Sequence, residues 1–288
     1  MTTLIIGGSG FLGTELIRQA RAAGQRTAAT YHATAPAVTS EAAWYRLDLR
    51  DAESLAVVIA ETRPSLIINA SSGGADWATT AEAPVRLAMT ARKHGSRFVQ
   101  VSTDAVFSGT GRARYDESCL PDPITTYGVA KAAAETGVLA VYPEAAVVRT
   151  SLIIGHGHST HERLVHQFIA GTTDGVLFTD DIRCPIHVTD LAAALLELAE
   201  NGAAGVRHAA GRDAVSRHEL GVLIARRDGL DAARLAAGLR AESTLHGPLD
   251  VRLDSRTTQH LLSTRLRGAH EFLAAGEEGN HRSDQTVA

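Results

Sequence analysis

The sequence predicts an α/β protein built on a doubly wound parallel sheet with a smaller C-terminal lobe beside it, and three observations lead there. Short apolar runs alternate with helical patterns up to Thr150; a glycine turn, Gly7-Gly8-Ser9-Gly10-Phe11-Leu12-Gly13, separates the first run from the first helical pattern; and beyond Thr150 the alternation loosens. Strands that alternate with helices are joined by right-handed crossovers, so helices cover both faces of one sheet.

Leu4-Ile5-Ile6 is the first strand, and Phe11, Leu12, Leu16 and Ile17 mark the first helix. Glycines 7, 10 and 13 between them allow a sharp turn, a close approach to a pyrophosphate and tight helix packing, with the helix N-terminus facing the anion; this is the context a Rossmann-type dinucleotide site requires. A second strand is expected over Arg26–Tyr31, and a polar stretch leads to Trp44-Tyr45-Arg46-Leu47-Asp48-Leu49, which puts Asp48 on a short loop able to meet an adenine ring. Asp51 is a good N-cap for a helix over residues 52–62 that stops before Pro64. Ser65-Leu66-Ile67-Ile68-Asn69 is an unbroken apolar run too short for a helix, hence a buried strand, and Asn69-Ala70-Ser71 follows its C-terminal end, where open parallel sheets bind ligands. The pattern repeats with a helix over about 84–94, strand 97–102, a helix carrying Tyr127, and strand 145–150. Residues 155–161 and 175–187 are expected to leave the sheet and build the smaller lobe; a helix over 190–200 and a strand over 206–209 return to it. The expected division is therefore 1–150 with 187–210 as the dinucleotide-binding part, 151–186 and 211–273 as the substrate lobe, and 274–288 as a frayed polar tail. Ser216 and Glu219 have capping-box spacing.

Composition removes several function classes. A chain of 288 residues, 44% hydrophobic and 21% charged, can bury a large core. A net charge of −4 supplies no basic field for nucleic acid or an anionic membrane. Two cysteines, Cys119 and Cys184, without metal spacing suggest free thiols in a reducing, cytoplasmic setting, and Met1-Thr2-Thr3 runs into the first strand with no cationic leader or long apolar segment. His156, His158, His161 and His166 invite a metal reading, but glycines and mixed spacing favour a solvated or phosphate-facing loop, so no metal is expected. Asp180, Asp181 and Arg183 read equally well as a surface charge cluster and as a substrate wall.

The chemistry gathers on Tyr127-Gly-Val-Ala-Lys131. Residues four apart on a helix share a face, so a phenol and an ammonium stand together, and the positive charge is expected to lower the phenol's pKa from its reference value of about 10. Of the 28 basic residues only Lys93 and Lys131 are lysine, and a compact ammonium suits a ribose hydroxyl and a tyrosine oxygen better than a planar guanidinium does. A hydride added to a carbonyl carbon leaves charge on its oxygen; Tyr127 can supply the proton while a hydroxyl of Thr103 or Ser102 holds that oxygen.

Taken together these motifs resemble the extended short-chain dehydrogenase/reductase superfamily and, within it, the dTDP-4-dehydrorhamnose reductase family of sugar-nucleotide-binding proteins. The resemblance runs from about residue 3 to 273 and rests on the glycine turn, Asp48-Leu49, Asn69-Ala70, Ser102-Thr103-Asp104, Tyr127-Gly128 with Lys131 and Glu135, Arg149-Thr150-Ser151, and Arg183-Cys184-Pro185 leading to Val188-Thr189-Asp190. It implies Thr103, Tyr127 and Lys131 as the catalytic triad. It implies a dinucleotide held by Gly7, Ser9, Gly10, Phe11, Leu12, Gly13, Tyr31, His32, Asp48, Leu49, Asn69, Ala70, Ser71, Tyr127 and Lys131, and a substrate faced by Ser102, Asp104, Ser151, Arg183 and His187. The reaction implied is reduction of the 4-keto group of a nucleotide-linked 6-deoxysugar, and a homodimer is a candidate assembly. Dehydratase relatives carry an Asp-Glu pair after the catalytic threonine; here the pair is Asp104-Ala105, so reduction without dehydration is expected. The family's tyrosine- and acid-containing stretch after Asn-Ala is replaced by Ser71-Ser72-Gly73-Gly74-Ala75-Asp76-Trp77. Two other readings compete: a non-catalytic, dinucleotide-binding regulatory subunit, and a reductase of a small carbonyl or imine. The second strand ends Thr30-Tyr31-His32-Ala33-Thr34 with no acid before Glu41, so NADP(H) is expected over NAD(H), by about tenfold or 1.4 kcal/mol. His32 and the hydroxyls of Thr30 and Thr34 are the expected phosphate ligands, and the preference should grow towards pH 6 if protonated His32 contributes.

Overall fold

In the computed structural model, which describes residues 1–35 and 42–274, the apolar runs alternate across a sheet as the period of two demands. Leu4 and Ile6 of β1 (Thr2–Ile6), Ile67 of β4 (Leu66–Asn69), Phe98 of β5 (Arg97–Thr103) and Val147 of β6 (Ala146–Thr150) face one side. There they pack on Leu55 of α2 (Ala52–Thr62), Leu87 of α3 (Ala83–Lys93) and Val138 of α4 (Thr126–Val141). Ile5, Ile68, Val99 and Val148 face the other side, against Leu12 and Leu16 of α1 (Phe11–Ala22) and Leu191, Leu195 and Leu198 of α6 (Val188–Glu200). Both faces are therefore covered, which is why these strands read as continuous apolar runs.

With β2 (Arg26–Tyr31), β3 (Ala43–Arg46) and β7 (Gly205–His208), the strands form a seven-stranded sheet in the order β7-β6-β5-β4-β1-β2-β3, parallel throughout. This is the predicted Rossmann-type architecture. The 44–49 stretch contributes an edge strand that the sequence does not announce, because only four residues pair, with no clean alternation of buried and exposed side chains. The expected strand over 206–209 lies one residue earlier. The polar tail from 274 falls, from residue 275 onward, outside the described residues.

Between β6 and α6, and again after β7, the chain builds the smaller lobe from α5 (Thr160–Ala170), α7 (Arg217–Arg227) and pairs of two-residue strands: Ile153–Ile154 with Ile186–His187, Ile182–Arg183 with Val215–Ser216, and Leu177–Phe178 with Ala237–Gly238. Its own core joins Ile154, Val165, Leu177, Leu220, Ile224 and Phe272. Ser159 and Glu162 form a full capping box on α5. The one predicted on α7 is half formed: Ser216 accepts from the Glu219 N–H, but the Glu219 carboxylate turns to His270.

Candidate active site

The strand order reverses between β1 and β4, and in an open parallel sheet the loops diverging from such a point leave a crevice. A cavity of about 650 Å³ lies there, walled by Gly7, Ser9 and Gly10 after β1, Tyr31 and His32 at the end of β2, Asp48 to Arg50 after β3, and Ala70 to Gly73 after β4. Gly7 takes φ +78°, and a Cβ there would stand 2.9 Å from the Ser71 backbone; a Cβ on Gly13 would stand 2.2 Å from the Gly7 carbonyl oxygen. Only glycine allows this turn to close against both the β4 loop and the first turn of α1. No side chain caps α1 and its first turn carries no acid, so its leading N–H groups are free for an anion, as a dinucleotide's pyrophosphate requires.

Beyond Ser72, which walls this cavity, Thr103, the last residue of β5, stands near Tyr127 in the first turn of α4. Thr103 caps the turn that follows it, accepting from the Ala105 N–H at 3.2 Å. Thr125 starts α4 by accepting from the Gly128 N–H at 3.1 Å. Gly128 lets the helix come down on that turn: a Cβ there would lie 2.1 Å from the Ala105 carbonyl oxygen. The Ser72 and Thr103 hydroxyls lie near the Tyr127 hydroxyl and pull its pKa down. Lys131 is buried, donates from Nζ to the Val101 carbonyl at 3.2 Å, and lies 6.0 Å from the Tyr127 ring centre. Burial pushes its ammonium down to about 8, with Glu135 offsetting part of the fall.

This arrangement corrects the expectation that Lys131 lowers the Tyr127 pKa. Burial raises the phenol above its ordinary value, the Ser72 and Thr103 hydroxyls pull it back only in part, and the ammonium points at a β5 carbonyl instead of at the phenol oxygen. Tyr127 is thus a neutral proton donor at neutral pH, and Lys131 keeps two N–H donors for a ligand beyond its one backbone bond.

Other residues singled out by sequence hold the site from behind. Ser102 points away from the crevice, because alternation along β5 turns it opposite to Thr103, and donates to Glu135 at 2.5 Å; Glu135 is in turn held by Arg149 at 2.8 Å. Asn69 does not line the cavity: its amide donates to Gln100 at 2.9 Å and its oxygen accepts from the Ser71 backbone and hydroxyl, which fixes the turn that presents Ala70 and Ser71. Leu12 sends its side chain into the core, leaving only backbone for a ligand.

Asp104, Ser151 and Arg183 do come together, but as one buried network. Ser151 donates to Asp104 at 2.6 Å, Arg183 stands 3.6 Å from the same carboxylate, and the rest of its guanidinium is taken by Asp181 and the carbonyls of Ile182, Pro248 and Leu249. Burial raises the Asp104 carboxyl, against the lowering pull of Arg183 and Ser151. Asp181 is likewise interior, paired with Arg183, Arg217 and Arg240, so Asp181 and Arg183 are neither a surface cluster nor an open wall, while half-buried Asp180 accepts from the Arg240 and Ala241 N–H groups. His187 is the N-cap of α6, accepting from the Thr189 N–H and packed between His156 and Phe272. Thr30 borders the cavity but is buried, and its hydroxyl accepts the Gly7 N–H at 3.1 Å.

Sequence reasoning missed Arg50 and Ser72. It sought a cation at the end of β2, whereas Arg50 reaches the same cavity from the loop after β3, donating through both Nε and Nη2 to Asp48 at 2.6–3.1 Å. Arg50 sits in a turn closed by the Asp51 N–H on the Asp48 carbonyl at 3.0 Å, and that turn, which no strand or helix period announces, brings its side chain back to Asp48. Among the described residues no group of three or more His, Cys, Asp or Glu is disposed to hold a metal, and no helix is long and apolar enough to cross a membrane. Cys119 and Cys184 are free thiols.

A family model described as the RmlD substrate binding domain matches residues 1–275. Among curated proteins, the chain is 29% identical over 257 residues to the probable low-salt glycan biosynthesis reductase Agl14 of Haloferax volcanii, covering 84% of this chain and 85% of that one. It is 30% identical over 245 residues to the dTDP-4-keto-6-deoxy-D-glucose reductase of Streptomyces niveus, covering 81% and 80%. The crystal structure of dTDP-4-dehydrorhamnose reductase from Bacillus anthracis in complex with NADP shares the fold, with a TM-score of 0.79, 21% identity, and coverage of 94% of this chain and 95% of that chain.

Proposed function

The chain belongs to the RmlD substrate binding domain family, and from that premise we propose that it is an NAD(P)H-dependent oxidoreductase that reduces the 4-keto group of a nucleotide-linked 6-deoxysugar. The observation that carries the reading is the convergence of Thr103 and Tyr127, with Lys131 one helical turn further on, next to Ser72, which walls the same cavity as the glycine turn. The cofactor supplies a hydride when bound. Everything else falls to side chains of this chain.

Tyr127 gives its phenolic proton to the carbonyl oxygen as charge develops there, and burial, which disfavours the phenolate, keeps that proton in place until it is needed. Thr103, already oriented by the Ala105 N–H it accepts, donates to the same oxygen. Lys131 offers its remaining N–H donors to a ribose, beyond the one it gives to the Val101 carbonyl. The NADP(H) preference belongs to this reading and is supported by the absence of an acid at the end of β2 and the presence of Arg50 in the cavity. The substrate is a small molecule; the interior charge network around Asp104, Arg183 and Asp181 sets the position of Thr103 from below.

Tyr127→Phe tests the reading. Dinucleotide affinity should stay within a few-fold while the rate of reduction of a nucleotide 4-keto-6-deoxysugar falls about a hundredfold or more. The parent nucleotide hexose should be left unchanged by the wild-type protein. Unaltered turnover in the variant would put the proton donor elsewhere, and binding without turnover in the wild type would favour a regulatory subunit.

A further inference from the structure

We propose that an arginine-lined cavity beside the edge strand β7 is a second ligand site, separate from the crevice, and that it takes a small phosphate ester. The inference does not rest on the dinucleotide reading, because the two cavities share no lining residue.

The cavity, of about 360 Å3, lies where the chain leaves β7 through Ala210 and Gly211. Four segments meet there, and hydrogen bonds pin them to one another. The Tyr115 N–H donates to the Arg252 carbonyl at 2.9 Å and the Asp254 N–H to the Tyr115 carbonyl at 2.7 Å, which sets Arg114 beside Asp254. The Ala210 N–H donates to the Ser255 hydroxyl oxygen at 3.0 Å. Gln259, at the end of the short helix Arg256–Gln259, donates to the Thr264 carbonyl at 2.8 Å and accepts the Leu266 N–H at 2.9 Å, so the 264–266 loop is held against the same helix. The walls are thus in place before a ligand arrives, and little ordering is left to oppose binding.

These segments bring Arg114, Arg212, Arg256 and Arg265 into one lining, with Asp254 as the acid among them. Arg256 gives Nε and Nη2 to Asp254 at 2.6–3.0 Å, which holds that carboxyl below the usual carboxylate range and leaves the Arg256 Nη1 uncommitted among the described residues. Arg212 and Arg265 share a single carboxylate, that of Glu271, at 2.6 and 2.9 Å. Arg114 is exposed and makes no hydrogen bond or ion pair with a described residue. Four guanidiniums therefore meet two carboxylates, in a protein whose net charge is −4. Positive charge gathered against the overall sign draws an anion, and planar guanidiniums suit the paired oxygens of a phosphate. Ser255, which accepts from Ala210, still has its own hydroxyl proton to give to the same group. The remaining wall is apolar, formed by Ala210, Leu253 and Leu266, and the volume exceeds what a bare phosphate fills. It falls within the range of about 300–1,000 Å3 typical of small-molecule sites, so an organic part is accommodated beside the phosphate.

Calorimetric titration of the full-length protein with glucose 1-phosphate tests this without turnover. The wild type should bind it saturably, and more weakly as KCl is raised. Arg114→Ala should weaken binding about tenfold. Its melting temperature should not change, since that side chain has no partner to lose, and Arg114→Glu should abolish binding. Arg50→Ala, in the crevice, should leave the affinity within about twofold. Orthophosphate should bind about tenfold more weakly than the ester, because it leaves the apolar wall uncovered. Equal affinity for orthophosphate would overturn the assignment to an ester. No saturable binding, or binding that survives Arg114→Glu, would overturn the site itself, and either result leaves the dinucleotide reading as it stands.

Discussion

Lys131 combines an interior position with a titration near neutrality, and this has a kinetic signature. Its ammonium is pushed down to about 8 by burial, whereas the Tyr127 phenol is pushed up, so in the free protein the lysine loses its proton first as the pH rises. The efficiency kcat/KM, which reports ionisations of the free protein, should therefore fall above about pH 8, and Lys131→Met should be slower throughout with that limb removed. A plateau extending past pH 9.5 in the wild type would contradict it. That Tyr127, Lys131 and Thr103 gather in one place was legible, because each position is set by local spacing or by its place at a strand end. The sign of the electrostatic effect on Tyr127 was not, because spacing says which face a side chain leaves from but not how deep it ends or that the Val101 carbonyl receives it. Ser102 and Asn69 were misread for a related reason: both are polar residues beside a crevice, and only the partners Glu135 and Gln100, 33 and 31 residues away, show them to be supports.

At the scale of elements, the distance between α4 and the turn after β5 sets where Tyr127 meets Thr103. Gly128→Ala would put a methyl 2.1 Å from the Ala105 carbonyl oxygen, a backbone atom that cannot rotate away, so the helix itself must lift. Overpacking of this kind costs about 1–3 kcal/mol, which for a chain of this length lowers Tm by several degrees. Turnover should fall at least tenfold, since displacements of about 1 Å at a reacting group have that effect. Val129→Ala, on the exposed side of the same turn, serves as control and should change neither. A Gly128→Ala protein with wild-type melting and turnover would show that the contact does not set the site. The long strands and helices were readable because period-two and helical patterns each need several residues to declare themselves. β3 and the two-residue strands of the smaller lobe offer too few positions, and their pairing depends on partners as much as 60 residues away, as with Leu177–Phe178 and Ala237–Gly238.

The molecule as a whole should lose stability on mild acidification, well before its carboxylates titrate. Burial holds His161 down to about 3 and both His187 and His208 to about 4, while in the unfolded chain each titrates near 6.5. Between those values the unfolded chain binds more protons than the folded one, so stability is fully present above about pH 6.5 and declines as the pH falls towards 4. His270 is raised and acts in the opposite sense, but it is more than half exposed and its share is screened. Urea midpoints at pH 7, 6 and 5 should fall in that order; equal midpoints would mean that the three imidazoles find compensating partners. The chain's return to the sheet through α6 and β7 has a further bearing on how such a protein can change. A fragment ending at Thr150 would leave bare the faces of α1 and β5–β6 that Leu191, Leu195 and Leu198 cover, and a fragment beginning at Ser151 would carry those leucines with nothing beneath them. The lobe therefore cannot be exchanged as one contiguous C-terminal cassette for one of different preference. New specificities have to be reached by altering side chains where they stand, with every intermediate still closing the same seven-stranded sheet.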